Sequence, residues 1–206
     1  ENDIPELRVV RGKGLLLSEQ VRIQIAECME EKNTEEAYVY SPMERVQIII
    51  CSIIYSKEPV HVDVLADYCK VSRNSVFNDL RVVVKQLQNY DLELEYRSKK
   101  GYIIVGNEVK VRAVFLLNYQ ELKKTFTRDG MKFIDWEKVD AYEETLKKVE
   151  QDLGVEYVSD NRESLVVLLP IMEQGKQRIY FDDLKIEEIK QRKEYYLIEK
   201  YFSQLN

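Results

Sequence analysis

A chain of 206 residues, 45% of them hydrophobic and 33% charged, carries enough apolar material for one to two compact domains and is not disordered throughout. The formal net charge is −6, no apolar run approaches the roughly 18–20 residues of a bilayer span, and no signal peptide opens a sequence whose first residue is Glu1, so it reads as an excised stretch of a longer chain, with no membrane partner. The three cysteines, Cys28, Cys51 and Cys69, form neither a CxxC pair nor a metal-ligand spacing with the single histidine, His61; we read them as small buried hydrophobes in a reduced cytoplasmic setting, and expect no catalytic residues, metal or cofactor.

Residues 1–41 hold five basic and nine acidic groups. Within them "LRVVRGKGLLLSE" (7–19) alternates, turns at a basic Gly stretch and becomes apolar again, which predicts a β-hairpin, and "QVRIQIAECMEEK" predicts a helix after it. The same order recurs as "LELEYRSKKGYIIVGNE" (92–108) followed by "VKVRAVFLLNYQELKK", with Gly14 matching Gly101 at a spacing of 87 residues. Two hairpins can resemble each other by chance. We prefer a repeat, in which residues 1–41 are the wing hairpin and linker helix left from a truncated first winged-helix domain. Gly12-Lys13-Gly14 lacks the G-x-x-x-x-G-K-[ST] pattern and is not a phosphate loop.

Residues 42–107 hold nine basic and eight acidic groups, a net of +1. "SPMERVQIIICSIIYS" begins with Ser41 as N-cap, Pro42 at the first helical position and Glu44 completing a capping box. Val46, Ile49, Ile50 and Ile53 then mark one buried helical face. Pro59 punctuates, a short helix follows near Asp63–Tyr68, and Ser72 caps a third helix from Arg73 to about Asn89. On that helix Val76, Leu80, Val83, Val84 and Leu87 form an apolar stripe, while Asn74, Asn78, Arg81 and Lys85 gather on the opposite side. A hairpin turning at Ser-Lys-Lys-Gly follows, with Gly101 supplying the turn.

Three helices with a tight turn before the third, then a hairpin with a basic tip, make a winged helix-turn-helix, whose third helix enters a DNA major groove while helix and wing hold phosphates. Asn pairs with adenine, and Arg with guanine or phosphate. The candidate DNA contacts are therefore Arg73, Asn74, Ser75, Asn78, Arg81 and Lys85 on the helix, and Arg97, Lys99 and Lys100 on the wing. The competing structural reading is a helical mini-domain whose polar stripe is merely solvated.

Residues 108–206 hold 17 basic and 20 acidic groups and read as a helical bundle. Periodicity runs through Val111, Val114, Phe115 and Asn118–Leu122. Further helices are predicted near Trp136–Leu153, ended by Gly154, over roughly Arg162–Gln174 with a bend at Pro170, and as one long helix over about Ile186–Leu205. The face with Ile189, Tyr196, Leu197, Tyr201, Phe202 and Leu205 suits either a core or a dimer contact. The fold class is thus mostly α with small β-hairpins: a winged helix-turn-helix followed by a helical bundle.

From Leu65-Ala66, Val71-Ser72-Arg73, Asn78-Asp79-Leu80, Leu92–Leu94 and Gly101-Tyr102, residues 42–112 resemble the helix-turn-helix of the BglG-like transcriptional regulators controlled by the sugar phosphotransferase system, including mannitol-type and Mga-type activators. The resemblance implies two N-terminal DNA-binding domains followed by helical regulation domains in which histidines are phosphorylated. It implies double-stranded DNA and a second copy of the chain as partners, with phosphotransferase proteins acting on segments outside this stretch. Three departures stand out. Lys70 replaces the usual turn glycine. Phe77 takes a position that is often Arg, where it either packs against the second helix or wing, or meets a thymine methyl. In "LLPIMEQGKQRIYF", Arg178 fits the family's Arg, but the region two turns earlier, Pro170-Ile171-Met172, has no His, so no phosphorylation site is expected in this stretch; His61 reads as a surface or capping residue.

The leading expectation is a DNA-binding regulator of a carbohydrate-utilisation or related operon, an activator controlled through helical regulatory domains as the resemblance implies. An RNA-binding antiterminator and a dimerisation or interaction module with a non-DNA-binding winged helix are the alternatives. The first needs a small β-domain that nothing here resembles; the second is kept open by the acidic net charge and Phe77.

Overall fold

A computed structural model describes residues 8–10, 14–16, 38–173 and 183–203. The chain divides into two compact units, Glu1–Val39 and Tyr40–Asn206. In the first, strands β1 (Arg8–Val10) and β2 (Gly14–Leu16) pair antiparallel, with Val10 opposite Gly14. The helix expected after this hairpin, Cys28 and Gly12-Lys13 lie outside the described residues.

In the second unit, α1 (Pro42–Tyr55) starts as its sequence predicts. The Glu44 N–H donates to Ser41 Oγ at 3.3 Å and the Ser41 N–H to Glu44 Oε2 at 2.7 Å, so two otherwise orphaned backbone donors are satisfied. The single buried face predicted for it is too narrow. Val46, Ile48, Ile49, Ile50, Cys51, Ser52, Ile53, Ile54 and Tyr55 are all buried, the pattern of a helix enclosed on every side. α2 (Val62–Cys69) and α3 (Arg73–Gln88) pack on it, and α4 (Glu108–Leu122) also lies along it. Phe115 of α4 is fully buried, tilted against Tyr55 at 6.1 Å and stacked on Tyr119 at 5.9 Å. One core therefore runs from Tyr40 to Ile171 without a break at residue 107.

β3 (Glu93–Arg97) and β4 (Gly101–Val105) form the wing, in register from Glu93 opposite Val105 to Arg97 opposite Gly101. Val60 adds a third rung by exchanging two hydrogen bonds of 2.8 Å with Tyr102. This explains Gly101 differently from the sequence reading. The left-handed turn residue is Lys99 (φ 60), whereas Gly101 (φ 110) already begins β4, and a Cβ there would sit 2.4 Å from the Val60 carbonyl oxygen.

Beyond α4, a short 3-10 turn (Arg128–Gly130) leads into α5 (Trp136–Leu153), capped by Asp135 and ended by Gly154 in the left-handed region (φ 73). α6 (Ser159–Glu173) runs through Pro170. The single long final helix is corrected to two, α7 (Asp183–Lys190) and α8 (Lys193–Phe202). The interruption at Gln191–Arg192 lets α8 lie on α5: Leu197 is buried, Phe202 stacks on Tyr142 at 5.8 Å, and Tyr201 OH donates to Asp152 Oδ2 at 2.7 Å. Two of the three aromatics considered for a dimer contact thus serve the chain's own fold, and only Tyr196, 63% exposed, faces outward. Arg178 and Leu205 lie outside the described residues. Among those described, no helix is long and apolar enough to cross a membrane.

Candidate nucleic-acid interface

The turn between α2 and α3 is closed at Lys70, which takes a left-handed conformation (φ 51) while its N–H and that of Val71 bond back to Asp67 and Ala66. A non-glycine residue there costs on the order of 1 kcal/mol of backbone strain, and the Lys70 ammonium meets the Tyr40 ring at 5.7 Å. Ser72 then starts α3, its Oγ accepting the Ser75 N–H at 3.3 Å.

Asn74, Asn78, Arg81 and Lys85 are exposed along one side of α3. Arg81 Nη1 donates to Asn78 Oδ1 at 3.4 Å, a long bond between two members of this row. The other two helix candidates are engaged locally. Arg73 is ion-paired with Asp63 on α2, and the half-buried Ser75 hydroxyl lies 3.1 Å from Ser72 Oγ, within the cap. Phe77 is 44% exposed beside the polar stripe. Val84, expected in the apolar stripe, is 36% exposed. Its place is taken by a residue the stripe did not include, the buried Asp79.

Asp79 receives Arg45 Nε at 2.7 Å and Nη2 at 3.1 Å, while Arg45 Nη1 donates to the Tyr40 carbonyl at 3.0 Å. The carboxylate bonds hold the Arg45 guanidinium above its ordinary pKa. This fork joins α1 to α3 on the buried side of the helix that carries Asn78. The available signal was an Asp among Val76, Leu80 and Val83.

On the wing, Arg97, Lys99 and Lys100 are all exposed. Arg97 lies 4.0 Å from Glu95 on its own strand, a distance at which an exposed pair contributes little. His61, at the N-cap of α2, makes no capping bond; its Nε2 donates instead to the Lys99 carbonyl at 3.0 Å. The wing tip is therefore tied to the start of α2 twice, through His61 and through Val60. Neither tie was foreseen, because each joins residues about 40 positions apart, one through a side chain and one through backbone. Among the described residues no cluster of His, Cys, Asp or Glu is placed to hold a metal ion.

The Mga helix-turn-helix domain model matches residues 16–119, half of the chain, from β2 through the winged helix into α4. A curated relative, described as transcriptional regulator ManR of Bacillus subtilis (strain 168), is 24% identical over 204 residues, covering 94% of this chain. The chain spans 31% of that relative's length. A capped three-helix core, a basic-tipped wing and a family match over the same residues lead to one assignment: the chain belongs to the Mga helix-turn-helix domain family.

Proposed function

We propose that this chain is the DNA-reading part of a cytoplasmic, non-enzymatic transcriptional regulator of a carbohydrate-utilisation or related operon, an activator that works as a homodimer. The observation that carries the reading is the exposed row of Asn74, Asn78, Arg81 and Lys85 on α3, free of any apolar cover, on a helix whose far side is locked to α1 by Arg45 and Asp79. Asn78 reads a base edge, with adenine its natural bidentate partner, and Arg81 takes a guanine or a phosphate. Lys85 and the wing cations Arg97, Lys99 and Lys100 neutralise phosphates. Arg73 reaches DNA by releasing Asp63, and Ser75 acts through the cap.

The division into a wing remnant (1–41), a winged helix-turn-helix (42–107) and a helical regulatory part (108–206) belongs to the same proposal. The matching closure of the two hairpins, Val10 opposite Gly14 and Arg97 opposite Gly101, supports the first of these. Residues 108–206 contain no histidine, so phosphotransferase proteins would act on other segments of the regulator.

A quantitative footprint on the DNA upstream of the chain's own operon tests the reading. Asn78→Ala is expected to cost ~1–3 kcal/mol on the preferred site and to relax preference at one base pair. Unchanged affinity and specificity would remove Asn78 from the interface. The exposure of Phe77, Val82 and Val84 on α3 favours a second reading, a protein-docking helix; salt-independent failure to bind any DNA would select it.

A further inference from the structure

The wing hairpin has two unlike faces. Its antiparallel register puts Glu93, Glu95 and Arg97 on one side with Val105, Ile103 and Gly101, and Leu94 and Tyr96 on the other with Ile104 and Tyr102. The second side is the one that packs: Ile104 is buried, and Leu94 and Tyr102 lie against the core. Along β3 that burial runs out towards the tip. Leu92, just before the strand, is 1% exposed, Leu94 is half-buried, and Tyr96 is 61% exposed. Tyr96 therefore carries the core-facing side of the wing past the edge of the core.

A single exposed aromatic is ordinary on a protein surface. Tyr96 differs in being held. Its ring centroid lies 5.1 Å from that of Tyr102, and Tyr102 exchanges two backbone hydrogen bonds of 2.8 Å with Val60. Among the described residues the Tyr96 hydroxyl makes no hydrogen bond, and neither Lys99 nor Lys100 at the tip has an ion pair. Three residues separate Tyr96 from Lys99, which at ~3.4 Å per residue is about 10 Å at most. A phosphodiester strand gripped by the tip therefore passes within reach of Tyr96. It lies on that side of the hairpin because Glu93 and Glu95 make the other side repel phosphates.

We propose that Tyr96 is a further DNA-contacting residue. Its hydroxyl donates to a phosphate beside those taken by Lys99 and Lys100, and its ring lies against the adjoining deoxyribose. Tyrosine is among the side chains that bond phosphate and sugar, contacts that set register and orientation without reading sequence. Because Tyr102 already restrains the ring, little freedom is lost on binding. Because Tyr96 is uncharged, it displaces no counterion, and its contribution is one that salt does not weaken. The assignment rests on the DNA-reading function proposed above and adds an uncharged contact to the wing.

Tyr196 on α8, 63% exposed, is the internal standard. The chain is acetylated with N-acetylimidazole, with and without saturating duplex DNA, and peptide fragmentation separates Tyr96 from Tyr90 and Tyr196 from Tyr195. Bound DNA is expected to suppress acetylation of Tyr96 and to leave Tyr196 as reactive as before. Tyr96→Phe keeps the ring pair with Tyr102 and should melt like the parent, yet bind DNA of any sequence about threefold more weakly, the loss of one hydrogen bond. Its slope of log affinity against log salt should stay unchanged. Undiminished acetylation of Tyr96 on DNA that is bound overturns the contact while leaving the DNA-reading proposal standing. A Phe variant that binds as tightly as the parent overturns the phosphate bond, since a residue that merely covers Tyr102 would lose nothing in that exchange. A reduced salt slope in the Phe variant also overturns it, because the effect would then come from displaced wing cations. A parent chain that binds no duplex at all overturns the DNA-reading proposal and this contact with it.

Discussion

Asp79 sits 5% exposed on the inner side of α3 with both carboxylate oxygens on Arg45. Removing one partner of a buried ion pair strands the other charge, which typically costs 3–5 kcal/mol, whereas replacing both with apolar groups is often neutral. Asp79→Ala is accordingly expected to lower unfolding free energy by about 3 kcal/mol, and the double change Arg45→Met with Asp79→Leu to recover most of it, as measured by urea denaturation. Equal losses in the single and double variants would mean the fork contributes packing rather than charge compensation. At this scale the sequence was partly legible. The outward row Asn74, Asn78, Arg81 and Lys85 followed from helical periodicity alone, because spacing determines which residues share a face. The partner of Asp79 did not, since Arg45 lies 34 positions away and no local rule links them. Lys70 was recognised as a departure from glycine, and its left-handed backbone is the physical reason a glycine is usual there.

The wing shows how an element acquires precision from contacts outside itself. An isolated two-stranded hairpin is marginal in water, and this one is held by Val60 and by the His61 bond to Lys99. Gly101→Ala forces a Cβ against the Val60 carbonyl and strains a positive φ; we expect a loss of about 2 kcal/mol or more by thermal melting, with the third rung lost first. Replacing Lys99 and Lys100 with Ala tests the wing's charge without disturbing that frame. Affinity should fall for all sequences alike, and the slope of log affinity against log salt should drop by roughly 1–2, through fewer released counterions. A changed base preference with an unchanged slope would place the wing in a groove instead. Element starts and stops were the best-legible part of the chain: Ser41 with Glu44, Ser72 and Gly154 all cap where expected, since capping is local chemistry. The break between α7 and α8 was not legible, because neither Gly nor Pro marks Gln191–Arg192 and tertiary packing on α5 decides it.

For the Tyr40–Asn206 unit as a whole, the core leaves no seam between winged helix and helical part. α1 is buried all round because α4 covers what α2 and α3 leave open, and Cys51 Sγ reaches the Phe115 carbonyl at 3.8 Å across that contact. The sequence reading missed this by assigning α1 one apolar face, although the run Ile48-Ile49-Ile50-Cys51-Ser52-Ile53-Ile54 holds no charged residue, as burial from several sides requires. The consequence is a single cooperative unfolding transition. Two probes on opposite parts of the unit check it. Trp136 reports the helical part by fluorescence. Cys69 reports the winged helix by alkylation, since burial pushes its thiol up to about 12 and makes it inert while the fold holds. Peptide mapping separates Cys69 and Cys51 from Cys28. Both probes should change at the same urea concentration, and a chain cut after Asn107 should fail to fold stably, because it exposes Cys51 and Tyr55 where Phe115 had packed. If Cys69 instead becomes reactive well before Trp136 responds, the winged helix opens on its own.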